Sequence, residues 1–176
     1  MEAGKNVFCE KPLCLNESEL AEVVRACFAP GAPRLMVGYN RRFAPMATRL
    51  RSFLSAIGEP LALHCRVNAG PVAPNHWLQD PEQGGGRILG EVCHFVDLLI
   101  YASGELPAEV HAREVPGGGE YCGDNVIVSL RFENGSQGTI TYVASGDTAF
   151  GKERLEVFGG GCVAVLDDFR RLELGR

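Results

Sequence analysis

A chain of 176 residues with 45% hydrophobic and 22% charged positions is long enough to bury one good core, so one main domain is expected. Seventeen basic against 22 acidic residues leave a net charge of -5 without a long run of either sign, which disfavours nucleic-acid and membrane-surface binders. The start "MEAGKNVFCE" lacks the charged-then-apolar pattern of a secretory leader, and no apolar stretch approaches the length that spans a bilayer, so the expectation is a cytoplasmic protein that binds neither membrane nor nucleic acid.

The first apolar run, "NVFC", reads as a short buried strand that ends on "EKPL". The helix signal of "LCLNESELAEVVRAC" follows: Asn16 as N-cap, Glu19 completing a capping box, Leu15 against Leu20 as a staple, and Leu20, Val23, Val24 and Cys27 as one apolar stripe. "PRLMVGYN" reads as a second strand, so residues 1–38 form a strand, helix, strand unit with parallel α/β grammar. A second helix is expected from Ala44 to Ile57, with Met46, Leu50, Phe53, Leu54 and Ile57 at helical spacing, and the strand "PLALHCRV" after it.

"NAGPVAPNHWLQDPEQGGG" has no period and reads as a long loop, a kind of segment that is usually functional or disordered. "RILGEVCHFVDLLIYA" is a third helix. The six β-rich runs that follow are "AEVHAREV", "NVIVSLRF", "SQGTITYV", "ERLEVFG", "GCVAVLDD" and "RRLEL", with the hairpin signal Asn-Gly inside "ENGS". They predict an antiparallel sheet of five or six strands with helices on one face, an α+β fold class. The seven cysteines Cys9, Cys14, Cys27, Cys65, Cys93, Cys122 and Cys162 stand singly without a CxxC pair. They read as mostly small core residues, with no metal site expected.

"GGGRILG" imitates a dinucleotide fingerprint, but Leu89 stands where the third glycine belongs and no strand precedes it, so it reads as a helix N-terminus. "PGGGEY" and "FGGGCV" read as hairpin turns. On a helical wheel Ile88, Val92, Phe95 and Leu99 share one side and Arg87, Gly90, His94, Asp97 and Tyr101 the other, which points His94 away from the core stripe. Gly90, one turn earlier, costs about 1 kcal/mol in a helix relative to alanine, and its missing side chain would leave room for a ligand against the imidazole. The plain alternative is a solvated helix histidine beside a close-packing glycine. Lys11 stands at the carboxyl end of a strand, where open α/β sheets bind ligands, although a surface lysine paired with Glu10 is the plain alternative. Asn40, Arg41 and Arg42 follow another strand end together with Tyr39, and the arginine forks suit a carboxylate or phosphate; a structural pair is the alternative. Trp77, beside His76, either stacks on a sugar or plugs the core. His64 and His111 alternate within strands and read as structural.

Three segments in order, "AGKNVFCEKPL", "VGYNRRFAP" and "GGGRILGEVCHFVDLL" with its HxxD, together resemble the glucose-fructose oxidoreductase / inositol dehydrogenase / MocA (Gfo/Idh/MocA) family of NAD(P)-dependent oxidoreductases. The resemblance implies the last strand-helix-strand part of a Rossmann domain in residues 1–38, then a substrate-binding and oligomerisation domain in residues 39–176 built on a large open-faced antiparallel sheet. It implies hydride transfer between NAD or NADP and a sugar or polyol, with Lys11 and His94 catalytic and Glu10, Lys11 and Pro12 beside the cofactor. Tyr39, Asn40, Arg41, Arg42, Trp77, Gly90 and Asp97 become the candidate substrate residues, and a homo-oligomer through the open sheet face is expected. Many members carry an aspartate four residues before the histidine, where this chain has Gly90. The resemblance further implies that the chain is a fragment lacking the GxGxxG turn and a C-terminal continuation, inactive by itself. The alternative is a non-catalytic binding, oligomerisation or regulatory module on the same scaffold.

Overall fold

A computed structural model describes residue 1, residues 3–117 and residues 123–176; Cys122 and most of the expected "PGGGEY" turn lie outside the described residues. β1 (Val7–Cys9) and β2 (Leu35–Val37) pair in parallel, with Val7 opposite Leu35, and α1 (Glu17–Cys27) connects them. The predicted cap forms: Asn16 Oδ1 accepts from the Glu19 N–H at 3.0 Å, and the Glu19 carboxylate accepts from the Leu15 N–H at 2.8 Å. The apolar stripe of α1 does not reach a core. No residue of α1 is buried, Leu20 and Val24 are exposed, and Val23 and Ala26 line an open apolar trough with Val7, Cys9, Leu13 and Leu35.

A second sheet holds seven strands in the order β4–β5–β6–β3–β7–β8–β9. β3 is Ala62–Asn68, β4 Pro107–Glu114, β5 Val126–Phe132, β6 Gln137–Val143, β7 Glu153–Gly159, β8 Cys162–Asp167 and β9 Arg171–Gly175. The six late runs are all strands, and the early run "PLALHCRV" joins them as the middle strand. The expected five or six therefore become seven. β3 lies parallel to β6 and antiparallel to β7, because it reaches the sheet from a helix rather than from a hairpin. Asn134-Gly135 turns β5 into β6, and Gly160 and Gly161, both at positive φ, turn β7 into β8.

Two helices cover one face. α2 runs Pro45–Leu54, shorter than the predicted 44–57 because residues 40–43 form a 3-10 turn first and Pro45 starts the helix at its N1 position. A five-residue π-helical turn, Ile88–Val92, leads into α3, Cys93–Ser103. The core lies between these helices and the sheet: Leu50, Leu54, Phe95 and Leu99 against Leu63, Val67, Leu130, Phe132, Ile140, Tyr142, Leu155 and Leu166. Strand alternation sends the remaining side chains, among them His64, Arg66, Ile127, Arg131, Thr139, Arg154, Glu156 and Phe158, to the uncovered face. There His64 Nδ1 meets Thr139 Oγ1 at 2.7 Å.

Of the six described cysteines only Cys65 and Cys162 are buried, and Cys9, Cys14, Cys27 and Cys93 are half-buried. The expectation of mostly core cysteines is corrected: those four sit in or near the first strand-helix unit or the start of α3, where little covers them. No helix among the described residues is long and apolar enough to cross a membrane.

Leu99 is wholly buried and its Cδ1 lies 3.0 Å from where a Cβ on Gly138 would stand. Leu99→Ala should cost about 2–5 kcal/mol of unfolding free energy, read as a lower urea midpoint at unchanged slope; a midpoint equal to that of the parent would show that this layer does not hold the fold.

Candidate functional site

β1 ends and the chain turns through Glu10, Lys11 and Pro12, with a cis peptide between the last two. The Lys11 ammonium donates to the Gly90 carbonyl at 2.7 Å. Its expected partner Glu10 lies elsewhere: a Cβ on buried Gly38 would stand 3.1 Å from Glu10 Oε2, so the glycine leaves room for that carboxylate to cross the end of β2. The strand end and the helix that carries His94 are joined by one charge-assisted hydrogen bond.

The π turn corrects the helical wheel. Fitting one more residue into a turn rotates everything before it relative to α3. Ile88 and Leu89 emerge at the surface, while Arg87 is turned inward and only 2% exposed. His94 is likewise not a solvated histidine: it is 7% exposed, meets the Tyr39 ring edge-on with centroids 5.9 Å apart, and leaves Nδ1 buried without a partner among the described residues. Burial first, then the charges of Arg41 and Lys11, lower its pKa from the ordinary 6.5 to about 4, with Lys152 adding in the same direction and Glu91 opposing. The imidazole is neutral at physiological pH. Tyr39 is pushed up to about 12 by burial and by the neighbouring Cys93, Asp97 and Cys14.

Gly90 does not open a ligand space. A Cβ there would stand 2.3 Å from Leu78 Cδ1, so the expected room beside the imidazole is filled by a leucine from the long loop. The short turn Trp77–Gln79 delivers that leucine, held by Gln79 Nε2 donating to Asp124 at 2.8 Å and by the His76 ring accepting from the Leu78 N–H at 3.2 Å. Gly84 lets the loop close, since a Cβ on it would stand 2.4 Å from the Leu78 Cα. Trp77 does not plug the core; it is 51% exposed on the loop surface.

The two arginines of "NRRF" turn out to be clamps. Arg41 donates twice to Glu153, at 2.9 and 2.6 Å, and lies over the Phe95 ring at 4.6 Å. Arg42 donates twice to Asp97, one contact at 3.0 Å. Both forks are filled by protein carboxylates, and these ion pairs hold the turn after β2 against β7 and α3. Asn40 is exposed beside them, lining a shallow depression with Arg41, Ala44, Glu153 and Phe169.

Four residues absent from the sequence-based site complete it. Arg87 donates to the Gly70 carbonyl at 2.5 Å and to Glu91 at 3.0 Å, and stands 5.4 Å from the Tyr142 ring. The Tyr142 hydroxyl donates to the same Glu91 oxygen. Burial alone would raise the Glu91 pKa, but the bonds from Tyr142 and Arg87 outweigh it and leave the group below the ordinary carboxylate range. Lys152, next to the Glu153 clamp, acts on both Glu91 and His94. The i, i+4 spacing of Arg87 and Glu91 was a readable signal; nothing local marks Tyr142 or Lys152.

A sequence profile described as the GFO/IDH/MocA C-terminal domain matches residues 51–162. An uncharacterized oxidoreductase of Bacillus subtilis, YrbE, is 31% identical over 96% of this chain and 50% of its own length. An inositol 2-dehydrogenase of Rhizobium meliloti is 33% identical over 93% of this chain and 50% of its own. Among solved structures, an NAD-binding oxidoreductase from Klebsiella pneumoniae superposes with a TM-score of 0.82 at 26% identity, over 98% of this chain and 51% of that one. A probable dehydrogenase from Thermotoga maritima gives 0.72 at 28%, over 99% and 50%. The chain spans about half the length of the curated relatives it matches.

Two outcomes follow from this geometry. An NMR titration should place the His94 imidazole pKa near 4. Because the unfolded state then takes up a proton that the folded state refuses, stability should fall as pH drops from the ordinary 6.5 towards 4; His94→Gln should flatten that slope, and an ordinary titration near neutrality would refute the burial. Gly90→Ala should cost about 1–3 kcal/mol by overpacking against Leu78. In a cycle with Leu78→Ala the two changes should be non-additive, whereas additive costs would mean that the contact is not made.

Proposed function

Because the chain belongs to the GFO/IDH/MocA family, we propose that its site serves the oxidation or reduction of a sugar or polyol carbon with NAD or NADP, in a protein of which this chain carries the substrate-side residues. The observation that carries this reading is the meeting of Lys11, at the end of a parallel strand, with the helix that presents His94 as a buried neutral imidazole. Residues 1–38 then serve as the final strand-helix-strand part of a Rossmann domain, and residues 39–176 as the substrate-binding domain, cytoplasmic and paired with a second copy through the uncovered sheet face.

The residues present suit the nicotinamide end of such a cofactor. The carboxyl ends of β1 and β2 open beside Glu10, Lys11 and Pro12, and the apolar trough on β1 and α1 is the kind of surface a Rossmann layer buries. No glycine turn suited to the cofactor phosphates follows a strand among the described residues. When bound, the nicotinamide supplies the hydride chemistry. Lys11 hydrogen-bonds the reacting hydroxyl and orients it. His94, neutral, accepts the hydroxyl proton in oxidation and returns it in reduction. Glu91 is already paired with Arg87 and accepts a hydrogen bond from Tyr142, and it steadies the turn on which Gly90 offers its carbonyl. Tyr39 walls the imidazole, and exposed Trp77 offers a stacking face to a sugar ring.

A second reading, a non-catalytic binding or oligomerisation module, is favoured by one observation: Leu78 fills the space over Gly90, the position at which the family resemblance implies an aspartate. Turnover separates the two. In the longest natural chain that contains this sequence, Lys11→Ala should lower kcat/KM by about 100-fold or more for loss of a positioned proton-transfer group, with the circular dichroism spectrum unchanged. Equal turnover would remove Lys11 from the chemistry, and an inactive parent would favour the module.

A further inference from the structure

The turn after β2 meets α3 at two points in register. Tyr39 directly precedes the 3-10 turn Asn40–Phe43, a geometry in which side chains three residues apart lie on one side, and Arg42 is three residues on. On α3, His94 and Asp97 are likewise three apart and share a face. The two spacings match. Tyr39 meets the His94 ring edge-on at 5.9 Å, and Arg42, further along in the same direction, donates its Nε to Asp97 at 3.0 Å and a terminal nitrogen to the other carboxylate oxygen. The Arg42 guanidinium also lies 5.4 Å from the Tyr101 ring, one helical turn beyond Asp97. Asp97 is 7% exposed while Arg42 keeps a third of its side chain in solvent, so the fork reaches in from the surface and closes on a buried acid. The Tyr39 N–H donates to the Val37 carbonyl at 2.8 Å; where its ring lies depends on how the turn that follows is seated.

We infer that Arg42 and Asp97 are positioning residues for the base of this site: their ion pair seats the Tyr39 ring against His94, and the ring in turn keeps water from the imidazole. This rests on the oxidoreductase reading of the same site and deepens it. The pair acts through Tyr39 and not through its own charge, because a guanidinium and a carboxylate joined by two hydrogen bonds offset each other at a distance. The charges that act most on the imidazole are Arg41 after β2, Lys11 after β1, Glu91 on its own helix and Lys152 ahead of β7, and all of them come second to burial. Tyr39 and Cys93, both pushed up by burial, are uncharged beside it. Burial is the part that a seated ring supplies. With the turn released, water would reach the imidazole, which would then take a proton in the ordinary histidine range. A protonated imidazole accepts no proton from a hydroxyl, so the pair keeps His94 competent as a base in mildly acid solution.

The test follows the His94 imidazole by NMR titration in the longest natural chain containing this sequence. Asp97→Asn is the decisive variant, because two effects of opposite sign separate there. Losing a negative charge one helical turn from the ring would by itself push the imidazole further down from about 4, whereas unseating Tyr39 would move it up towards 6.5. The upward move is the expected result, with the circular dichroism spectrum unchanged. Arg42→Lys keeps the charge and removes the fork; it should give a smaller move of the same sign, and it decides the matter should Asp97→Asn fail to fold. Tyr39→Ala should also move the imidazole up, and adding Asp97→Asn to it should bring no further rise. A fall or no change in the folded variant, or a rise that persists on the Tyr39→Ala background, overturns the inference. None of these readouts needs turnover. Failure here therefore leaves the hydride-transfer reading standing, and an inactive parent would overturn that reading while the titration alone decides what seats Tyr39 on His94.

Discussion

The extra residue in the turn Ile88–Val92 sets the register on which the rest of the site depends. In a regular helix Arg87 would share the solvent side with His94 and Tyr101, and Ile88 would face the sheet. The π turn exchanges them, exposing Ile88 and burying a guanidinium. A buried cation must be paired; Glu91 and the Gly70 carbonyl take the two terminal nitrogens of Arg87, and Nε has no partner among the described residues. The same rotation turns the Gly90 carbonyl towards Lys11 and its Cα towards Leu78. Two exposed apolar side chains and a glycine in a helical turn are the local cost; a fixed meeting point between the first sheet and α3 is what they produce.

Around that meeting point the chain uses bidentate ion pairs. Arg42 with Asp97 and Arg41 with Glu153 tie the turn after β2 to α3 and to β7, in half-buried surroundings where geometry outweighs screening. The exposed pairs Arg131 with Glu109 and Arg171 with Glu173 lie on the outer strands and add little, as surface pairs do. The two kinds of pair look alike in sequence and act differently only because of what covers them.

That difference explains what could be read in advance. The strand alternation of "NVIVSLRF", the Asn134-Gly135 turn and the Asn16 cap are local patterns, and all of them formed. The EKP segment and the histidine helix were legible as parts of one site because the three blocks stand in order. The π turn was not legible, since a helical wheel assumes an unbroken period and nothing in "RILGEVCHF" announces the extra residue. Leu78 over Gly90 and the Arg41 and Arg42 clamps join residues far apart in sequence, where only the fold decides who meets whom. The place of β3 in the middle of the sheet, parallel to β6, was hidden for the same reason.

The lowered pKa of His94 comes first from its burial, to which the charges of Arg41 and then Lys11 add. An ammonium held on a carbonyl keeps its full charge, and at the short range of a half-buried cleft that charge discourages a proton on the neighbouring imidazole. The imidazole therefore stays neutral, walled by Tyr39, for as long as burial and these charges act on it.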